Sequence, residues 1–410
     1  MEEVNYRMNQ KKTIIYIGGF ELPDKNAAAQ RVLANSKIFR DLGFDVVLIG
    51  IDKMLQSNNN IENTQKVVEG FEFFSIPYPK DKKSWFKHIV SAKYLNHFLS
   101  KKDNIYAVIC YNYPALAMYN INIMCKRKNI ICLADATEWY ENSGGGLLFN
   151  TIKWLDTYMR MHYVHCKIDG VITVSKFLTD FYKQRSCHTV QLPTLYDVAQ
   201  FEYTEKKETK TMQFMYAGSA FNLNRVTKDR DNIKDRLDII IETFSKVYKV
   251  NTNFILNIYG LTKENYLSVF SEHKNILIEL SKHIIFHGRC PHQHIIGSIQ
   301  QSDFTIFIRK LDRVIEAGFP SKFSESISYG IPVISNLISN IEPYIAEGKN
   351  SFIVSLDNEE TRIKKILYIL DMDRHHILKM KKHCKNHKIF DYRNYLCTVD
   401  DFFKKIGESK

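Results

Sequence analysis

Residues 309–336, RKLDRVIEAGFPSKFSESISYGIPVISN, decide how the rest of the chain is to be read. A strand ends at Arg309, a loop runs to Gly318, and Pro320 stands at the first helical position, where its missing N–H costs nothing. The helix carries Lys322 and Glu325, Gly330 closes it, and PVIS follows as the next strand. Strand, loop, short helix, glycine, strand is the rhythm of a parallel α/β sheet. A helix beginning at Gly-Phe-Pro-Ser points its positive end and first amides at the carboxyl edge of that sheet, where a diphosphate can sit. Glu325, about a turn and a half further in, is placed to accept two hydrogen bonds from a ribose diol. A solvated surface glutamate is the commoner fate of this residue type.

The same alternation extends in both directions. In the second half, residues 214–216 lead into Ala217-Gly218-Ser219, and the runs at 254–259, 284–287 and 304–308 end at Gly260, Gly288 and Arg309. Leu237, Ile240, Ile241, Phe244 and Val247 trace one helix face. The segments at 332–335 and 351–354 complete that set. In the first half, TIIYI at 13–17 runs into Gly18-Gly19. Ala28, Val32, Asn35, Phe39 and Leu42 then recur at helical spacing before Gly43. Apolar runs at 45–51, 106–110, 130–134 and 170–174 supply further strands. Residues 192–210 break the pattern with a proline and a charged stretch. The expectation is an α/β chain of two Rossmann-like domains with parallel sheets, 1–198 and 199–388, and a closing helix within 389–410.

Composition excludes several classes. The chain has 410 residues, 45% hydrophobic and 25% charged, enough to bury a large core without staples. Its eight cysteines never form CxxC, so neither a zinc ribbon nor a dithiol redox pair is written, and scattered thiols fit a reducing cytosol. The polar start MEEVNYRMNQKK lacks a signal-peptide pattern, and no apolar run approaches the ~18–20 residues of a membrane span. A cytoplasmic protein is expected. Lys+Arg 57 against Asp+Glu 45 gives a net charge of +12, which favours polyanionic partners. No arginine-rich arm, RNP-like segment or zinc-finger spacing points to nucleic acid, leaving nucleotides and anionic lipid surfaces.

Gly18-Gly19 permits close backbone approach to a ligand, or is a plain tight turn. Gly-x-Gly-x-x-Gly is absent, and the second strand, DVVLIGID, reaches its acid, Asp52, only after a glycine and not in the place that would hold a dinucleotide's ribose, so a nicotinamide enzyme is disfavoured. Asp371-Met372-Asp373 matches the metal-binding Asp-x-Asp pattern only formally, within a helical polar stretch. The pair His292 and His294 has no third ligand suggested nearby. No metal and no cofactor are expected.

AGFPSKFSES…GIPVISN resembles the donor-binding signature of GT-B glycosyltransferases of the large retaining family 4, in the form found in capsule, exopolysaccharide and O-antigen enzymes. GGFELPDKNAAAQR, LADATEWYE, GVITVSKFL, MYAGS, FHGRCPH and SDFTIFIR agree in order and spacing, so the resemblance spans nearly the whole chain. It implies a GT-B fold, two sheets facing across a cleft, with the last helix crossing back to the first domain. It implies that Glu325 holds the nucleotide ribose, and that Gly318, Phe319 and Lys322 face the diphosphate and donor sugar. Gly18, Gly19, Gly218 and Arg309 join this donor-facing set. Lys234, with Arg236 beside it, resembles the base that neutralises the departing diphosphate. Arg225 or Lys228 in the long preceding loop are substitutes. Arg289 and Cys290 fall where family members meet the nucleobase. Glu316 corresponds to the first of two acidic residues usually separated by seven, but here eight lie between it and Glu325.

Glu138 and Trp139 fall where family members line the cleft, Glu138 as a carboxylate orienting acceptor or donor, with Asp135 the alternative. The segment KDKKSWFKH at 80–88, with Lys82, Lys83, Trp85 and Lys87, suits an anionic membrane interface or a solvated loop. The stretch at 154–163, with Tyr158, Met159 and Met161, is either core or acceptor-facing. The resulting expectation is a metal-independent retaining transferase moving a sugar from a nucleotide sugar, most often a UDP-sugar, to a saccharide or lipid-linked saccharide in surface polysaccharide synthesis. A nucleotide-sugar epimerase of the same fold and a non-catalytic nucleotide-binding scaffold are the alternatives.

Overall fold

The computed structural model describes residues 11–23, 27–56, 61–139, 147–204, 209–221, 233–338 and 340–408, apart from the side chains of Lys82, Leu147 and Leu148. It divides into two compact units. The first is Met1–Tyr196 with Ala317–Phe319 and Tyr392–Lys410, and the second is Asp197–Glu316 with Pro320–Asp391.

The first unit holds β1 (Thr13–Gly18), β2 (Asp45–Asp52), β3 (Lys66–Val68), β4 (Phe71–Pro77), β5 (Ile105–Tyr111), β6 (Ile131–Ala136), β7 (Gly170–Thr173) and β8 (Thr189–Gln191). They form one sheet in the order β3-β4-β2-β1-β5-β6-β7-β8. Every residue of β1 is buried, with Ile15 and Ile17 in one apolar cluster and Ile14 and Tyr16 in another. Period-two alternation sends successive side chains to opposite faces, and helices cover both, which is why the strand reads as a continuous apolar run.

One strand departs from the expected parallel sheet. β3 pairs antiparallel with β4 at the sheet edge. A two-residue turn joins them, Glu69 at φ 48° and Gly70 at φ 82°, the left-handed pair whose twist suits a tight hairpin. The sequence reading passed over both strands of this hairpin, β3, which is short and mostly exposed, and β4, which is seven residues long and largely buried. It also passed over the three-residue β8.

The second unit holds β9 (Met212–Ala217), β10 (Phe254–Tyr259), β11 (Ile284–Gly288), β12 (Phe304–Phe307), β13 (Val333–Ser335) and β14 (Ser351–Ile353). Their order, β11-β10-β9-β12-β13-β14, is parallel throughout and is the doubly wound dinucleotide-fold order. The loop expected between Arg309 and Gly318 contains a short helix, Arg313–Ala317, and Pro320 caps the helix Ser321–Ser328 rather than opening it.

The chain ends in a helix, Leu396–Glu408, whose Val399, Phe402, Phe403 and Ile406 are buried in the cluster that contains Ile14, Phe39 and Leu133. Phe403 meets Phe39, Phe44 and Tyr106 at ring-centroid distances of 5.9, 5.6 and 5.6 Å. Among the described residues, no helix is long and apolar enough to cross a membrane.

Candidate functional site

In the second sheet the strand order reverses between β9 and β12, so the carboxyl ends of these two strands flank the crevice where doubly wound folds bind ligands. A charged cluster occupies this point. Tyr216, on β9, donates its hydroxyl to Asp235 Oδ2 at 2.8 Å, and Arg309, just past β12, donates Nε to Asp235 Oδ1 at 2.8 Å. Lys322, in the first turn of the helix Ser321–Ser328, ion-pairs with Asp235 Oδ2 and donates to Tyr216 Oη at 3.1 Å. Backbone pairing anchors the arrangement. Asp235 bridges to Arg309, Arg236 N donates to Ile308 O at 2.8 Å, and the Asn336 amide bonds both N and O of Arg309.

Asp235 is 3% exposed. Burial pushes its carboxyl up, but Lys322 and Arg309 outweigh burial and hold it well below the usual carboxylate range. Burial pulls the Lys322 ammonium below the ordinary lysine range against the opposing pull of Asp235. Burial, then Asp235, pushes the Tyr216 phenol well up. The formal sum is two cations and one anion, a net positive corner able to receive an anion.

Three strand ends beside it carry glycines in the left-handed region, Gly218 at φ 144°, Gly260 at 97° and Gly288 at 67°. Gly218 has a second constraint, since a Cβ there would stand 2.6 Å from the Lys322 Nζ. The turn therefore presents bare backbone next to an ammonium.

Glu325, one turn below Lys322, accepts from or pairs with His292 Nε2 at 3.1 Å. His292 opens the helix His292–Gln301. Tyr259 stacks on His287 with ring centroids 4.2 Å apart and an interplanar angle of 6°. Arg289 is exposed and Cys290 is half-buried beside Tyr259, Ile295 and Ile296.

The expected donor residues are thus brought together only in part. Gly218, Arg309 and Lys322 share one corner. Lys234 is exposed one residue before Asp235, and Arg236 turns its guanidinium to Asp238, with Nη2 2.7 Å from Oδ2. Glu316 lies half-buried in the helix Arg313–Ala317, its carbonyl accepting from Asn340 Nδ2 at 2.5 Å. Gly318 and Phe319 belong to the first unit, where Phe319 packs on an apolar cluster and Ala317 O accepts from Ser175 Oγ at 2.7 Å. Arg225 and Lys228 lie outside the described residues. Reading the sequence missed Asp235 and Tyr216, and weighed His292 only as a metal ligand. The available signal for Asp235 was a lone acid between two bases in IKDRL.

In the first unit, β1 extends through Gly18, where a Cβ would lie 2.5 Å from Tyr111 Cβ, whereas nothing lies within 4 Å of a Cβ at exposed Gly19. Asp135 is fully buried at the end of β6 and bonded to Arg31 and Tyr16, so it offers no carboxylate to a ligand. Glu138 is exposed. Trp139 is half-buried against His162, Phe177 and Phe181, with centroid distances of 6.4, 6.0 and 5.2 Å. The basic-aromatic segment is no loop but a helix, Lys82–Val90, capped by Asp81, whose carboxylate accepts from the Lys83 and Ser84 amides. It exposes Lys83, Phe86 and Lys87 and rests Trp85 on Phe149. The stretch at 154–163 is divided, with Trp154 and Tyr158 exposed and Met161 buried. Among the described residues, no cluster of His, Cys, Asp or Glu has metal-binding geometry.

Residues 226–388 match the family described as glycosyl transferases group 1. No curated protein matches the chain in sequence. The fold is similar to a glycosyltransferase from Rickettsia africae, at 16% identity and TM-score 0.67, covering 98% of this chain and 100% of that one. It is similar to a TarM mutant of S. aureus solved with fondaparinux, alpha-GlcNAc-glycerol and UDP, at 11% identity and TM-score 0.62, covering 96% and 100%. It is similar to HepE of Anabaena solved with UDP-glucose, at 10% identity and TM-score 0.59, covering 96% and 99%. The chain is built from two parallel-sheet Rossmann-like domains with the GT-B fold, and within the second of them residues 226–388 are similar to the glycosyl transferases group 1 family.

Proposed function

We propose that the protein is a metal-independent, retaining glycosyltransferase that moves a sugar from a UDP-sugar to a saccharide or lipid-linked saccharide in surface polysaccharide synthesis. The observation that carries this reading is the positive corner formed by Arg309, Lys322 and the Gly218 turn at the switch point of the second sheet, with Glu325 one helical turn away. As the glycosidic bond breaks, charge develops on the diphosphate leaving group. Fixed cations and a helix N-terminus stabilise that charge without reorganising. Lys234, exposed at the rim, adds to the same field, and Glu325 receives the ribose hydroxyls. The solved complexes of HepE with UDP-glucose and of TarM with UDP support the choice of base. A lipid-linked acceptor suits the first unit's exposed Phe86, Lys83 and Lys87 on one helix and the exposed Trp154 and Tyr158 on another.

Calorimetric titration with UDP, GDP, ADP and NAD, without added metal, tests the reading. Binding of UDP, weakened in Glu325→Ala by more than about 1.4 kcal/mol, that is tenfold, supports it. Binding of NAD alone, or of nothing, ends it.

A further inference from the structure

The cluster at the switch point contains a residue that an anion site does not need on charge grounds alone. Asp235 is a buried carboxylate, and a carboxylate repels phosphate. Its geometry explains its presence. Oδ1 takes the Arg309 Nε at 2.8 Å, while Oδ2 takes the Tyr216 hydroxyl at 2.8 Å and the Lys322 ammonium. Arg309 and Lys322 are each mostly buried, and two unscreened like charges in one dry corner repel strongly. A single anion between them removes that repulsion and leaves a net charge of one. It also fixes direction. Lys322 has a flexible four-carbon stem, yet its Nζ is pinned between Asp235, the Tyr216 hydroxyl at 3.1 Å and the Tyr216 ring at 4.2 Å from the centroid. Pinned there, it lies against the Gly218 backbone, where glycine leaves the approach open.

We propose that Asp235 is a positioning residue. Bonded to Arg309 and Lys322 together, it aims the Lys322 ammonium at the Gly218 turn, where it meets the diphosphate of the donor. This rests on the donor-site reading above.

The test compares UDP, inorganic pyrophosphate and uridine as calorimetric probes of the full-length protein, in the wild type, Asp235→Asn, Lys322→Met and the double variant. Loss of a charge-assisted contact should weaken UDP and pyrophosphate about tenfold in Asp235→Asn, with uridine affinity held within about twofold. The double variant should match Lys322→Met, because both changes remove the same contact. A pH series adds a readout that a scaffolding role would not move. The groups facing Lys322 are Asp235, Tyr216, Arg309 and Lys234. With the one anion gone, the UDP deficit of Asp235→Asn should grow as pH rises from neutral toward the lysine range. Wild-type UDP affinity in Asp235→Asn, or equal losses for UDP and uridine, overturns the proposal. If Asp235→Asn does not fold, Tyr216→Phe carries the test. Removing one hydroxyl that braces both partners should cost about threefold in UDP affinity and nothing in uridine affinity, and equal effects on the two overturn the proposal. A wild type that binds neither UDP nor uridine ends the donor-site reading itself, a result distinct from any difference among the variants.

Discussion

The Arg31 Nη2 atom lies 2.7 Å from Asp135 Oδ1, and neither side chain is more than 4% exposed. The same guanidinium donates to Leu192 O at 2.7 Å, so one residue of the helix Ala27–Asp41 ties the end of β6 to the chain beyond β8. Tyr16 on β1 adds its hydroxyl to the same carboxylate. Breaking a buried pair from one side strands a charge in the interior. Arg31→Met should therefore destabilise the first unit by about 3–5 kcal/mol, read as a lower urea midpoint. A loss under about 1 kcal/mol would show the carboxylate to be rescued by Tyr16 and water.

Adjacent glycines should behave in opposite ways. Gly18→Ala drives a Cβ to 2.5 Å from Tyr111 Cβ and 2.6 Å from its carbonyl oxygen, and overpacking of this kind costs about 1–3 kcal/mol. Gly19→Ala meets nothing within 4 Å and should leave stability within about 0.5 kcal/mol. Thermal melts of the two variants side by side decide the matter. Equal melting temperatures would refute the steric account.

Acid should weaken the first unit through His165. This residue is 3% exposed, its Nδ1 lies 2.7 Å from the Tyr182 hydroxyl, and burial, then the nearby Arg160, holds its ring well below the ordinary histidine range. The unfolded chain takes up a proton near pH 6.5 while the folded chain resists it, so the unfolded state binds more protons. The stability contribution is present above that pH and falls away as pH drops below it. His165→Gln should flatten the decline in melting temperature between pH 7 and pH 5, and an unchanged slope would assign the decline elsewhere.

Two phenylalanines separate packing from surface. Phe403 is 4% exposed among Phe39, Phe44 and Tyr106, and Phe403→Ala should cost about 3–5 kcal/mol. Phe86 is 62% exposed, so Phe86→Ala should leave stability within about 0.5 kcal/mol. The membrane reading predicts that Phe86→Ala lowers cosedimentation with vesicles containing anionic lipid. Wild-type binding in that variant would remove this helix from any lipid contact.

Strands such as TIIYI at 13–17 and the segment at 304–308 were legible because both faces are covered, which makes burial a property of every consecutive residue. The helix behind GFPSKFSES was legible from its proline and closing glycine. Short or half-exposed edge strands, β3 and β8, left no such mark, and β4, seven residues long and largely buried, was passed over as well. Gly18 had two readings in the sequence, and the fold supplies a close neighbour, Tyr111, that accounts for glycine there without a ligand.

One-dimensional information thus carried most of the strands, the largely parallel character of the sheets and the helix bearing Lys322 and Glu325, because these depend on local periodicity and punctuation. Which charges meet is a different kind of fact. Lys234, Asp235 and Arg236 are neighbours in sequence, yet Lys234 is exposed, Arg236 turns to Asp238, and Asp235 alone turns inward to Arg309 and Lys322, 74 and 87 residues away. A backbone bridge between Asp235 and Arg309 imposes that choice. Pairing of distant strand ends, and the cost of leaving a buried charge alone, selects the partner, and neither is written in the spacing of residues.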